Sequence, residues 1–247
     1  GKQPVETRHG VLTYNGEIFN YADLIKEIEW SPQTTCDTEY LSHALGTMPH
    51  EIVNDKIDSM HAYAYYNKAK KHLILSRDHA GIKPLYYAEI PQGLVFGSEI
   101  KGMINKVPNG RCIDDFAAAA MSYSGINPTR NTLFKNIKKV MPGETLVYDV
   151  ANKRFIHSYQ KVITPTSKGK LDLEEFRHEA HETVKMSTLG LRKFGVFLSG
   201  GLDSTLVAYE LKKILGDLDS FTNKMEPNVR IGEDFNDDAN CAKRFAE

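Results

Sequence analysis

The 247-residue sequence predicts an α+β unit followed by the start of an α/β unit. Three observations carry that reading. Short apolar runs separated by tight turns fill the first 160 residues. A polar stretch with Pro165 and Gly169, KVITPTSKGK at 161–170, then interrupts them as a linker. Beyond it, helical and strand patterns alternate, as in a parallel sheet with crossover helices.

Taken in order, 11–14 is an apolar strand, and 37–45 is a helix with Asp37 as its N-cap and Leu41 and Leu45 on one face. Residues 62–66, 73–76 and 85–89 read as strands. Pro91-Gln92-Gly93 is a turn from which 94–97 pairs back as a hairpin. Residues 114–121 are helical, and MPGETLVYD at 141–149 is a turn followed by a strand. These elements form a mixed sheet with helices that ends near Tyr159. Residues 171–189 form an amphipathic helix, 195–198 a strand, about 205–215 a helix and about 220–222 a short strand.

Apolar residues make up 41% and charged residues 26%, the balance of a folded globular chain. The formal net charge of −1 gives no electrostatic reason to expect nucleic acid or an anionic membrane as partner. No apolar run approaches the roughly 20 residues that cross a bilayer. The three cysteines, Cys36, Cys112 and Cys241, are odd in number and widely spaced, so a disulfide framework is not expected and a reducing cytoplasm fits. The sequence opens on Gly1 and closes on CAKRFAE, which reads as a helix cut short, so both ends are expected to lie inside a longer chain.

Residues 194–213, FGVFLSGGLDSTLVAYELKK, run a strand into Ser199-Gly200-Gly201-Leu202-Asp203-Ser204 and straight on into a helix. Such a turn aims several backbone N–H groups and the positive end of a helix dipole at one point, which suits a phosphate or pyrophosphate. Gly-Lys-Ser/Thr is missing and the glycine spacing is not that of the dinucleotide fingerprint. Asp203 places an acid beside the phosphates, which suggests a bridging Mg²⁺. SGGLDS resembles the pyrophosphate-binding loop of the ATP pyrophosphatase, or PP-loop, enzymes. Those enzymes split ATP into AMP and pyrophosphate to adenylate a carboxylate.

Upstream, YNGEIFNY at 14–21 and TTCDTEYL at 34–41 resemble the two glutamine-contact segments of class II glutamine amidotransferases. SRDHAGIKPLYY at 76–87, FGSEIKGM at 96–103 and TLFKNIKKVMPGETLVYD at 132–149 resemble three further segments. Five segments in order, followed by a PP-loop, resemble glutamine-hydrolysing asparagine synthetase along the whole chain. The resemblance implies an incomplete Ntn-hydrolase α-β-β-α sandwich over 1–160, the linker, and over 171–247 the start of a Rossmann-like PP-loop domain. It implies Asn15 and Gly16 as oxyanion donors, through a side-chain amide and a backbone N–H, with Glu17 and Asp37 holding the α-amino end of glutamine. It implies ATP contacts at Leu198, Ser199, Gly200, Gly201, Leu202, Asp203, Ser204 and Asn223, with Asp203 near Mg²⁺. Its substrates would be glutamine, aspartate and ATP, and relatives pair through the glutaminase half, which implies a homodimer.

The chain departs from that pattern in three places. The nucleophile of this glutaminase class is an amino-terminal Cys, and position 1 is Gly. Cys36 lacks the free α-amino base and reads as a small buried hydrophobe. Asn223 and Lys224 stand where the family has apolar residues beside the adenine, and a second acidic segment of the ATP pocket is absent. The fragment is therefore expected to be inactive alone. Alternatives are a related ligase acting on another carboxylate, or a degenerate glutamine- or nucleotide-binding module. From the residues alone, Asn15-Gly16 reads as a type I′ hairpin turn. Arg77-Asp78 reads as an ion pair bracing a turn, Tyr63, Tyr65 and Tyr66 as packing, and KNIKK at 135–139 as surface. HEAHE at 178–182 spaces His178 and His181 by three with no third ligand, which reads as a solvated helix face rather than a zinc site. Ser98-Glu99 and Lys101 follow a strand without an assignable role.

Overall fold

The structure, a computed structural model, describes residues 2–164, 169–170, 172–189, 193–224 and 236–246. The chain divides into two compact units, Gly1–Thr166 and Ser167–Glu247. Among the described residues no helix is long and apolar enough to cross a membrane.

The first unit contains β1 (Val5–Glu6), β2 (Gly10–Ile18), α1 (Tyr21–Leu24), α2 (Asp37–Thr47), α3 (His50–Lys56), β3 (Ser59–Asn67), β4 (His72–Arg77), β5 (Tyr86–Ile90), β6 (Gly93–Gly97), α4 (Asp115–Ser124), β7 (Lys138–Lys139), β8 (Glu144–Asp149) and β9 (Arg154–Gln160). Its strands form two sheets, β1-β2-β3-β4-β8-β9 and β6-β5-β7, in which every described pairing is antiparallel. The mixed sheet read from the apolar runs is thus two antiparallel sheets, as the α-β-β-α sandwich of the family resemblance implies. Each strand alternates, so each sheet has two apolar faces to cover. Leu12, Tyr14, Tyr63 and Tyr65 meet Tyr40, Leu41 and Val53 of the helices on one face of the large sheet. Ala62, Ala64 and Leu75 on its other face meet Leu85 and Tyr87 of the small sheet. The outer face of the small sheet is covered by Met103, Val107 and Ile137, partly from short 3₁₀ turns. The layers run helix, sheet, sheet, short helical cover.

Several local expectations change. The first strand runs from Gly10 to Ile18 and carries Asn15-Gly16 in its pairing with Ala62 and His61, so the dipeptide is not a hairpin turn. Helix α2 begins at Asp37 with Cys36 as its N-cap and no side-chain cap. Asp114, by contrast, caps α4 by accepting from the Ala117 N–H at 2.9 Å. Arg77 and Asp78 brace the 78–83 turn separately, not as an ion pair. The guanidinium donates to the carbonyls of Gly81, Lys83 and Val140, while the buried Asp78 carboxylate accepts from the N–H groups of His61, Ile82 and Lys83. Residues 135–139 are not plain surface, since Ile137 is buried and Lys138-Lys139 form β7.

The second unit contains α5 (Leu173–Ser187), β10 (Gly195–Phe197), α6 (Leu202–Leu215), β11 (Asp219–Phe221) and α7 (Asp237–Ala246). Position 171, the expected first residue of α5, lies outside the described residues. Asp172 caps this helix by accepting from the Glu174 and Glu175 N–H groups. Strands β10 and β11 pair in parallel, Val196 opposite Ser220. Val196, Leu198, Ala208, Leu211 and Ala242 form the core. The 178–182 helix face is not wholly solvated, because His181 Nδ1 lies 2.7 Å from the buried Glu210 carboxylate on α6.

Candidate functional site

Strand β2 builds the first candidate site along one edge. Strand β1 covers only Val11 and Leu12, so the edge beyond them is open. Phe19 N–H bonds Asp58 toward β3, which puts the N–H groups of the even residues on the open edge. Tyr14 N–H donates to the Gln3 side-chain oxygen at 2.7 Å, and the Gln3 amide donates back to the Tyr14 carbonyl at 2.7 Å. A side chain thereby does the work of a neighbouring strand. Ile18 N–H donates to Asp37 Oδ2 at 3.0 Å, and the Tyr14 hydroxyl reaches the same oxygen at 3.2 Å. Burial and the adjacent Asp37 charge push the Tyr14 hydroxyl far up, so it stays protonated and donates. Gly16 N–H lies between these two occupied positions on the same edge. A Cβ at Gly16 would run into the Met60 carbonyl, so only glycine fits.

The side chains of Thr13 and Asn15 face the small sheet. There they line a cavity of about 210 Å³ with Ala62, Ala64, Leu85, Phe96 and Ser98. Asn15 Nδ2 donates to Ser98 Oγ at 3.2 Å. Glu17 lies two residues further along the same face of the strand, half-buried, and does not line that cavity. Asp37 approaches from α2, on the helix side. Of the four glutamine-contact residues expected from the sequence, Asn15 and Gly16 are adjacent on the strand, Glu17 follows them, and Asp37 is tied to the same edge through Ile18. Sequence reading missed Gln3 and Tyr14, which complete the edge, and left Ser98 without a role.

Cys36 is half-buried rather than a core hydrophobe, with its sulfur 3.4 Å from Thr38 Oγ1 and 3.8 Å from Asp37 Oδ1. It borders a separate cavity of about 590 Å³ beside Trp30, Ser42 and His43.

The second candidate site is the turn after β10. Gly200 has φ +82° and lies against α7, where a Cβ would come within 2.5 Å of the Asp238 carbonyl and 2.8 Å of Cys241 Cβ. Ser204 Oγ lies 2.9 Å from Ser199 Oγ, accepts from Ser199 N–H at 3.2 Å and donates to the Gly201 carbonyl at 3.1 Å. Those bonds close the loop on itself. Helix α6 starts at Leu202, three residues earlier than expected, because Gly201 serves as N-cap without any side-chain cap. Its first N–H groups are therefore open to an anion. Leu202 and Asp203 are exposed at that end, while Leu198 is buried and its N–H is committed to the Phe221 carbonyl. Asn223 is exposed beyond β11.

Residues 1–160 match the glutamine amidotransferase domain family, and residues 175–247 match the asparagine synthase family. A relative from Bacillus subtilis, asparagine synthetase (glutamine-hydrolyzing) 1, is 31% identical over 220 residues, covering 85% of this chain and 34% of its own length. Asparagine synthetase (glutamine-hydrolyzing) of Mus musculus is 28% identical over 226 residues, covering 87% of this chain and 39% of its own. The chain thus spans less than half the length of these relatives.

Proposed function

We propose, from the premise that the chain belongs to the glutamine amidotransferase domain family and carries an asparagine synthase segment after it, that it is part of a glutamine-dependent amide synthetase that makes asparagine from aspartate. The observation that carries the reading is β2, where the Asn15 amide facing the small sheet, the Gly16 N–H on the open edge and the α2 Asp37 carboxylate bonded to the Ile18 N–H meet within one short strand segment. Amide hydrolysis builds negative charge on the carbonyl oxygen, and a fixed side-chain amide and backbone N–H are the donors such an oxyanion needs. Asp37 and Glu17 supply the negative charge that would receive the substrate ammonium. Water and glutamine give glutamate and ammonia, through a nucleophile outside residues 1–247.

In the second unit the Ser199–Ser204 turn would take ATP phosphates at the open N-terminus of α6. The donor set fits an anion, and Asp203, exposed in the first turn, fits a single carboxylate ligand to Mg²⁺. The ion, when bound, would neutralise charge on the departing pyrophosphate. Aspartate would be adenylated with release of pyrophosphate, and ammonia would displace AMP to give asparagine. The units 1–160 and 171–247 are the two working halves in this reading, with 161–170 as linker. A cytoplasmic homodimer belongs to the same proposal.

The test follows pyrophosphate release from ATP by the full-length protein with glutamine, with and without L-aspartate. Release that requires aspartate, with asparagine formed in step, is the expected result. Release that ignores aspartate but answers another acid would overturn the choice of acceptor.

A further inference from the structure

We infer that Ser98 is a positioning residue that sets the orientation of the Asn15 amide, an inference that rests on the glutaminase reading above. An oxyanion donor lowers a barrier only if it is already aimed before charge develops. The terminal torsion of an Asn side chain is broad and roughly two-fold, so the strand alone does not aim it. In this protein the backbone of Asn15 is fixed by its pairing with Ala62, and its side-chain nitrogen is fixed by Ser98 Oγ at 3.2 Å. An amide nitrogen carries two hydrogens. Ser98 takes one, and the other remains for an oxygen entering the cavity that both residues line.

Ser98 does not belong to the Asn15 strand or sheet. It directly follows β6, whose last residue, Gly97, pairs with Tyr86 in the small sheet. The hydrogen bond therefore bridges the two sheets over 83 residues of sequence. The sheet spacing at that point is set by Ala62 and Ala64 packing against Leu85 and Tyr87. Small residues on the β3 side leave the cavity open while the larger Leu85, just before β5, and Tyr87 on β5 pack against them. The amide of Asn15 is thus referenced to the small sheet as well as to its own strand, and Ser98 is the link.

The experiment uses the full-length protein and reads glutamine hydrolysis and ammonia-driven amide synthesis separately. Ser98→Ala is expected to lower kcat for glutamine about 10-fold with little change in KM, the scale of one hydrogen bond. Ser98→Thr, which keeps the hydroxyl, is expected to restore most of that loss. Ammonia-driven synthesis should be unchanged in both, which shows that the variants fold. Asn15→Ala combined with Ser98→Ala should be no worse than Asn15→Ala alone, because the two residues act as one unit. Wild-type kcat in Ser98→Ala, or losses that multiply in the double variant, would overturn the inference and leave the glutaminase reading standing. A wild-type protein that does not hydrolyse glutamine would overturn both.

Discussion

In the first unit Gln3 reaches 11 residues along the chain to Tyr14, Asp37 reaches 19 residues to Ile18, and Asn15 reaches 83 residues to Ser98. In the second unit the described hydrogen bonds that close the 199–204 turn span five residues or fewer. One site is hydrogen-bonded together by the tertiary fold; the other is hydrogen-bonded within its own turn and seated on α7 through Gly200. The surroundings differ in the same sense. The β2 edge lies on a six-stranded sheet with both faces packed, and among the described residues the turn follows the parallel pair β10-β11. An edge built from remote partners keeps its shape only while every layer is in place.

The sharpest way to break this comparison is Gly200→Ala. The residue sits at φ +82°, where an added Cβ is strained, and the Cβ would press on α7 at the Asp238 carbonyl. Displacing the loop by about 1 Å is expected to cut pyrophosphate release about 100-fold. Glutamine hydrolysis measured on the same protein should fall far less. Equal losses in both activities would mean that the turn is not the local device described above.

The same contrast decides what could be read from the sequence. SGGLDS between a clean strand and a clean helix is legible as a tight strand-to-helix turn from residue types alone, and the structure forms that turn, since its hydrogen bonds are local. Asn15-Gly16 was not. Local chemistry reads it as a hairpin turn, and only the five resembling segments in order reversed that. Asp37 looked like a helix cap because capping is a local rule, yet its carboxylate bonds a strand N–H 19 residues back. Gln3 carries no periodic signal at all, because a side chain replacing a strand leaves no trace in the hydrophobic pattern. The strand positions were legible from their apolar runs, but their division into two sheets came only with the family resemblance, since alternation fixes faces and not neighbours.

A second prediction addresses the long-range side of the comparison through pH. His61 is buried at the end of β3 with its ring nitrogens beside Ser59 and Ser76, and burial pushes it down to about 4. The unfolded chain holds that histidine near its ordinary value of about 6.5. Between those two values the unfolded state binds more protons than the folded one, so stability falls as pH falls. Denaturant titrations from pH 7 to pH 4 should lose on the order of 2 kcal/mol from this residue. His61→Gln should flatten that part of the curve. A curve of unchanged slope would show that the buried network tolerates a charge.

The smallest expected effect tests whether the second unit has a long-range side-chain tie beside its β10-β11 pairing. His181 on α5 and Glu210 on α6 are 29 residues apart, and their side chains meet at 2.7 Å. The hydrogen bond from His181 and the nearby Lys213 hold the Glu210 carboxyl below its ordinary value. A carboxylate lowered on folding contributes stability above its unfolded value and loses it as pH falls through the folded one. His181→Ala should therefore cost about 1 kcal/mol at neutral pH, the scale of one charge-assisted hydrogen bond on a partly solvated face. That cost should fade in acid, as pH drops through the lowered value of the folded Glu210 carboxyl. A cost that persists unchanged into acid would assign His181 a packing role.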